Sequence, residues 1–188
     1  PGSIVELRRY QDARGRERLA VAVRSDLSIS MQVRADGATW LDRQLLANGK
    51  SSLSDGAFGR EVSEAMTARA DYLVSQGLAR RQGQRVVFMR DLLATLRRRD
   101  LSAAGAKFSA ETGIPCHSMA EGESIAGVYR QRVSLASGRF AMIDDGLGFS
   151  LVPWSPSLER QLGQQVSGVV RSGGSIAWGF GRKQGLAL

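Results

Sequence analysis

The sequence predicts an α+β chain, helical in its first part and strand-rich in its second. Three observations carry that reading. Apolar residues recur at helical spacing within Ile29–Ala47, Phe58–Leu73 and Leu92–Leu96. From Glu121 the texture changes to short apolar runs separated by Ser137-Gly138, Asp145-Gly146 and Gly173-Gly174. Between them lies Ile114–Gly122, which contains Pro115 and little periodicity and is the expected linker.

Element by element, Ile4–Tyr10 and Glu17–Arg24 read as two strands around Asp12-Ala13-Arg14-Gly15. Leu19, Val21 and Val23 alternate with Ala20, Ala22 and Arg24, the period-2 pattern of a strand with one buried face. Gly37 interrupts Ile29–Ala47, so two short helices are expected. The second carries Trp40, Leu41, Leu45 and Leu46 and stops at Asn48-Gly49. Ser54 is the expected N-cap of the next helix, with Leu53 and Phe58 as a hydrophobic staple. Phe58, Val62, Met66 and Leu73 share a face, and Gly77 ends the run. Leu78–Arg81 and Gln84–Phe88 make a hairpin around Gln82-Gly83. Leu92, Leu93 and Leu96 open a helix towards Arg99, and a further helix runs from about Leu101 to Gly113. Helix, hairpin and helix in this order resemble a winged-helix unit, where a hairpin wing flanks a DNA-reading helix. A generic α+β bundle is the alternative.

In the second part, Ser124–Ala136, Arg139–Ile143, Leu147–Val152, Gln165–Arg171 and Ser175–Phe180 are candidate strands. Ser155 and Pro156 make a cap and first-turn pair for a short helix that Gly163 closes. Several strands, a short helix and closing strands suggest a small SH3-like or OB-like β-barrel, which would leave no sheet edge exposed. The expected organisation is therefore a tag-cleavage scar at residues 1–3, a mixed helical domain at 4–113, a linker at 114–122 and a barrel at 123–188.

Composition narrows the function. No apolar run reaches the roughly 20 residues that cross a bilayer. A single cysteine, Cys116, rules out an internal disulfide and suggests a reducing, cytoplasmic setting. Cys116-His117 offers two metal ligands, but the chain has no other Cys or His, so no metal or other cofactor is expected. The net charge is +8 and the pI near 10.7. Of the 26 basic residues 23 are arginine, whose planar fork matches phosphate. Codon usage rich in G and C would produce the same bias, so the distribution matters more than the count.

The densest charge lies between Leu78 and Arg99. There Arg80, Arg81, Arg85, Arg90, Arg97, Arg98 and Arg99 face one acid, Asp91. If hairpin and helix pack together, these form one phosphate-gripping surface that positions DNA without reading its sequence. A merely solvated cationic face is the bland reading. Arg182 and Lys183 sit beside Trp178 and Phe180, an arrangement able to stack single-stranded bases, although such aromatics are more often core. Catalytic signals are poor. His117 is the one histidine, Asp144-Asp145 precedes Gly146 as in a turn, and there is no phosphate-binding glycine loop. Tyr10, Tyr72 and Tyr129 lack a recognisable activating partner. No catalytic residue is expected.

The stretch RFAMIDDGLGFSLVPWSPSLERQLGQQVSGVVRSGGSIAWGFGRKQGL, from Arg139, resembles the C-terminal module of bacterial conjugative relaxases, downstream of their nuclease domain. ERLAVAVRSDLS from Glu17, GATWLDRQLLA from Gly37 and GQRVVFMRDLLATLRRRDL from Gly83 share the resemblance. It implies a parent that nicks DNA with a tyrosine nucleophile and a metal held by a histidine cluster, which one histidine cannot supply. For this chain it implies either an accessory DNA-binding module acting near the transfer origin, or a protein-interaction or translocation-signal module. The latter would be recognised by relaxosome or type IV secretion coupling proteins.

Overall fold

The computed structural model describes residues 2–47 and 56–179. Helix and strand take nearly equal shares, about 36% and 35%, so the chain is mixed α/β. It forms two compact units: Pro1–Asp100 with Ala136–Gly138, and Leu101–Leu135 with Arg139–Leu188. The division falls inside a helix, between Asp100 and Leu101. The expected linker, residues 114–122, carries a parallel bridge between Cys116 and Phe149 within the second unit.

The first unit opens with an antiparallel hairpin, β1 (Ile4–Gln11) and β2 (Glu17–Ser25), which pair only with each other. Register places Val5 opposite Val23, Leu7 opposite Val21 and Arg9 opposite Leu19, so one face carries an aliphatic stripe. The alternation predicts a buried face, and here the structure differs: Val5, Leu7, Leu19, Val21 and Val23 are 48 to 62% exposed. Ile4, at the hairpin base, joins the core. Strand periodicity requires only that like residues share a face, and burial requires a partner layer, which no described residue of the first unit supplies.

Two short helices follow as expected, α1 (Ile29–Val33) and α2 (Trp40–Leu46). At Gly37 an added Cβ would stand 2.1 Å from Asp100 Oδ2, so the close approach requires glycine. Asn48, Gly49, Leu53 and Ser54, expected to stop one helix and cap the next, lie outside the described residues. The next helix, α3 (Ala57–Ser75), takes Gly56 at its N-cap position, and Phe58 is exposed rather than stapled. Val62, Ala65, Ala70 and Leu73 form its buried face. The second hairpin, β3 (Ala79–Gln82) and β4 (Arg85–Phe88), turns at Gly83 with φ of 58°. Then comes α4 (Leu92–Thr112), one continuous helix where two were expected. Nothing between Arg99 and Leu101 breaks a helix, since Asp100 has no proline or glycine beside it.

Among the described residues, the first unit has two apolar clusters. Ile4, Ile29, Leu41, Val62 and Ala65 form one, and Ala38, Leu73, Leu78, Leu92 and Leu96 the other, with Ala79, Phe88 and Leu93 packed against it. Between the short helices lies a polar core that the sequence reading missed. Arg69, fully buried, donates Nε to Asp42 Oδ1 at 2.8 Å and Nη2 to Asp42 Oδ2 at 2.9 Å. It also donates to the carbonyls of Val33, Ala35 and Gly37, at 3.3, 2.6 and 3.0 Å. Asp42 in turn closes the capping box of α2 with Thr39. Every polar group of this buried pair that could be orphaned has a partner, which is the condition for burying it at all.

The second unit is a sheet of β5 (Ser124–Leu135), β6 (Gly138–Asp144), β7 (Phe149–Pro153), β8 (Gln165–Val170) and β9 (Ile176–Gly179), ordered β7-β6-β5-β8-β9. A 3-10 helix, Pro156–Gln161, joins β7 to β8 with Pro156 in its first turn. This corrects the expected barrel: the sheet is open. Closure needs its edge strands to pair, yet β7 and β9 stay at opposite edges with five and four residues each. Ile125, Tyr129, Ala141, Ile143, Val152, Leu158 and Val166 form its main core. No described helix is long and apolar enough to cross a membrane.

Candidate nucleic-acid interface

The seven clustered arginines divide by what surrounds them. On the second hairpin, Ala79 faces Phe88, Arg80 faces Val87, Arg81 faces Val86 and Gln82 faces Arg85. Because side chains alternate, Ala79, Arg81, Val86 and Phe88 share the inner face, which contributes Ala79 and Phe88 to the apolar cluster. Arg81 ion-pairs there with Asp71 of α3. The outer face presents Arg80, Gln82, Arg85 and Val87, all exposed. Arg80 and Arg85 are diagonal neighbours on it, a spacing of about 7–8 Å between backbones.

Arg90 is exposed in the turn before α4. On α4 itself, three successive arginines fan through about 200° of the helix surface, at about 100° per residue. Arg98 and Arg99 are exposed, whereas Arg97 is half-buried. Burial, and then the neighbouring charge of Arg43, pull the Arg97 pKa below the usual guanidinium value, although a guanidinium stays charged at neutral pH. Arg43, exposed in the last turn of α2, is a cation the sequence reading left out. Its helix-terminal position was the available signal, but only folding brings it near Arg97.

Among the described residues, Arg80, Arg85, Arg90, Arg98 and Arg99 form no ion pair. The seven do not share one face: Arg81 lies on the opposite side of the hairpin from Arg80 and Arg85 and pairs with Asp71, and α4 turns Arg97, Arg98 and Arg99 in different directions. Five available cations are left, carried on the second hairpin, the turn after it and α4. Arg182 and Lys183, the remaining expected contacts, lie outside the described residues.

The arginines of the first hairpin are differently placed. Glu6 ion-pairs with both Arg8 and Arg24, and Asp12 with Arg16 and Arg18, each at 3.1 Å. Arg9 Nη1 reaches Glu17 Oε1 at 4.0 Å. The Arg8 and then Arg24 guanidiniums hold the Glu6 carboxyl below the usual range. The Arg16 backbone N–H does the same for Asp12.

Groups considered for chemistry occupy structural positions. Asp144 Oδ1 accepts from Gly146 N at 2.8 Å and its Oδ2 from Arg130 Nε at 2.8 Å. Asp145 Oδ1 accepts from Leu147 N and Gly148 N, at 2.9 and 2.8 Å, so both carboxylates build the turn. Burial pushes the Cys116 thiol up and keeps it protonated. Tyr72 lines an open cleft with Arg34 and Asp71, and its hydroxyl donates to Asp36 Oδ1 at 2.9 Å. Burial, and then that carboxylate, raise its pKa, the opposite of activation. Tyr129 is buried and Tyr10 exposed. No group of three or more potential metal ligands occurs among the described residues.

Aromatic side chains serve packing. The Trp154 ring has the guanidiniums of Arg132 and Arg139 at 5.4 and 5.9 Å from its centroid. Trp154 and Trp178 both pack against the core of the second unit. Phe180 lies outside the described residues.

No curated protein and no solved structure matches the chain. Over residues 5–187 it matches the family described as "Protein of unknown function (DUF3363)". That match spans nearly the whole sequence, both units included, and the chain therefore belongs to this family.

Proposed function

We propose that this chain is an accessory DNA-binding module of a conjugative relaxase, gripping DNA phosphates near the transfer origin in the bacterial cytoplasm. The single observation that carries the reading is the set of Arg80, Arg85, Arg90, Arg98 and Arg99. Among the described residues these five cations form no ion pair, whereas Arg8, Arg16, Arg18 and Arg24 of the first hairpin each meet a carboxylate. Uncompensated charge held on a rigid hairpin and helix favours a polyanion, since binding releases the counterions of each neutralised phosphate. The order α1–α2–α3–β3–β4 supports a winged-helix reading of the first unit, with β3–β4 as the wing. The relaxase assignment rests on sequence resemblance. The module positions DNA, and strand nicking belongs to the parent's nuclease domain.

The test is fluorescence anisotropy on a labelled duplex across a salt series. Five phosphate contacts predict a slope of log affinity against log salt near −4.5, at about −0.9 for each contact. Replacing the five arginines by alanine should flatten it, whereas Arg8→Ala with Arg24→Ala should leave it nearly unchanged. A flat response from the unaltered protein overturns the reading.

The exposed aliphatic stripe of β1–β2 favours a second reading, a protein-interaction or translocation-signal module docking on relaxosome or secretion coupling proteins. Leu7→Ser with Val21→Ser would then abolish transfer in a mating assay while DNA affinity persists. Undiminished transfer by that variant rules it out.

A further inference from the structure

We infer that the polyanion gripped by the wing and the start of α4 is duplex DNA rather than a single strand, an inference that rests on the DNA-binding reading above. Proteins that hold single strands combine a basic groove with aromatic faces on which successive bases stack. The five arginines lack the second component. Phe88, the aromatic of the wing, is turned inward against Leu78, Leu92 and Leu96. Phe108, the aromatic of α4, meets Phe149 edge-on in the second unit, with ring centroids 6.3 Å apart and planes at 89°. Among the described residues, the cation–π contacts belong to Arg69, Arg132 and Arg139, and none to the five available arginines.

What the five arginines do present suits a duplex. They stand on separate elements: Arg80 and Arg85 share the outer face of a two-stranded ribbon, and Arg98 and Arg99 point about 100° apart from α4. Cations set outward on a ribbon face and around a helix do not line the groove that holds one flexible strand. They can reach outward to two phosphate rows, and a duplex supplies these on either side of a groove about 12 Å wide. Gln82 and Val87 complete the outer face of the wing between its two arginines. These are a neutral polar and an aliphatic side chain, which approach sugar and groove walls without electrostatic cost. The inner face, packed against α3 and α4, holds the ribbon rigid, so its arginines meet the duplex already spaced.

Anisotropy titrations with a duplex and one of its own single strands, equal in length and salt, separate the possibilities. Duplex affinity should exceed single-strand affinity by at least about tenfold, or about 1.4 kcal/mol. Arg80→Ala with Arg85→Ala should reduce the duplex salt slope by about 1.8, and the corresponding lysine pair should restore most of it. Both positions are exposed, so circular dichroism should report an unchanged fold. A ratio below about tenfold, single-strand preference included, overturns the duplex inference while nucleic-acid binding stands. An unchanged slope in the alanine pair removes the wing from the interface. Binding to neither probe fells both this inference and the function on which it rests.

Discussion

The two hairpins of the first unit have similar sequences in outline, each a pair of short strands studded with arginine, and opposite physical character. In β1–β2 the acids Glu6, Asp12 and Glu17 each hold an arginine, so much of the positive charge is already satisfied. In β3–β4 only Arg81 meets an acid, Asp71. Packing is reversed. The first hairpin leaves its aliphatic stripe in solvent, whereas the second buries its inner face against Leu73, Leu92 and Leu96. The difference teaches that arginine content and apolar alternation are not themselves surface charge or core. Counterions and partner layers decide both. A third arginine, Arg69, marks the extreme, with both its charge and its stem consumed inside the unit.

That extreme is the place to break the comparison hardest. Arg69→Ala should cost about 3–5 kcal/mol in urea unfolding, because it strands Asp42 in the core and frees three backbone carbonyls. An effect under about 1 kcal/mol, the range of surface ion pairs, would mean the pair is not buried as described.

Next in size is a contrast between equivalent truncations. Leu92→Ala, beneath the wing, should lose about 2–5 kcal/mol. Leu7→Ala, on the open stripe, should stay within about 0.5 kcal/mol. Equal losses at both sites would show that something covers the first hairpin.

The smallest effect sharpens the electrostatic side. Glu6 has a lowered pKa, so its pairing with Arg8 and Arg24 is fully present above the ordinary glutamate value of about 4.3 and is lost as pH falls through the depressed folded value. An NMR titration should place its midpoint below that of a model peptide. Glu6→Gln should release both arginines at neutral pH and steepen the duplex salt slope, by at most about 1.8. A midpoint at the ordinary value would leave the first hairpin's arginines as available as those of the wing.

Much of the fold was legible before any coordinates. Both hairpins, the interruption at Gly37 and all five strands of the second unit were readable from alternation and glycine turns. The two differ where local pattern leaves an element's fate open. The sequence predicts two helices meeting at Asp100, yet no breaker separates Arg99 from Leu101 and one helix runs through. The barrel was expected because strands alternate with turns, a pattern an open sheet shares. The candidate site is legible as a dense arginine stretch, but not which of its cations stay available, since Arg81, Arg97 and Arg98 read alike in one dimension.

By itself the sequence determined the local periods, the turns and the imbalance of seven arginines against one acid between Leu78 and Arg99. Those are properties of near neighbours, set by backbone sterics and side-chain alternation. Only the tertiary structure decided that Arg69 is buried while Arg80 is open, that Arg81 is spent on Asp71, and that the aliphatic stripe of β1–β2 is exposed. Each depends on which residues, far apart along the chain, share a low-dielectric or solvated space, and charge and burial are set by that company rather than by sequence position.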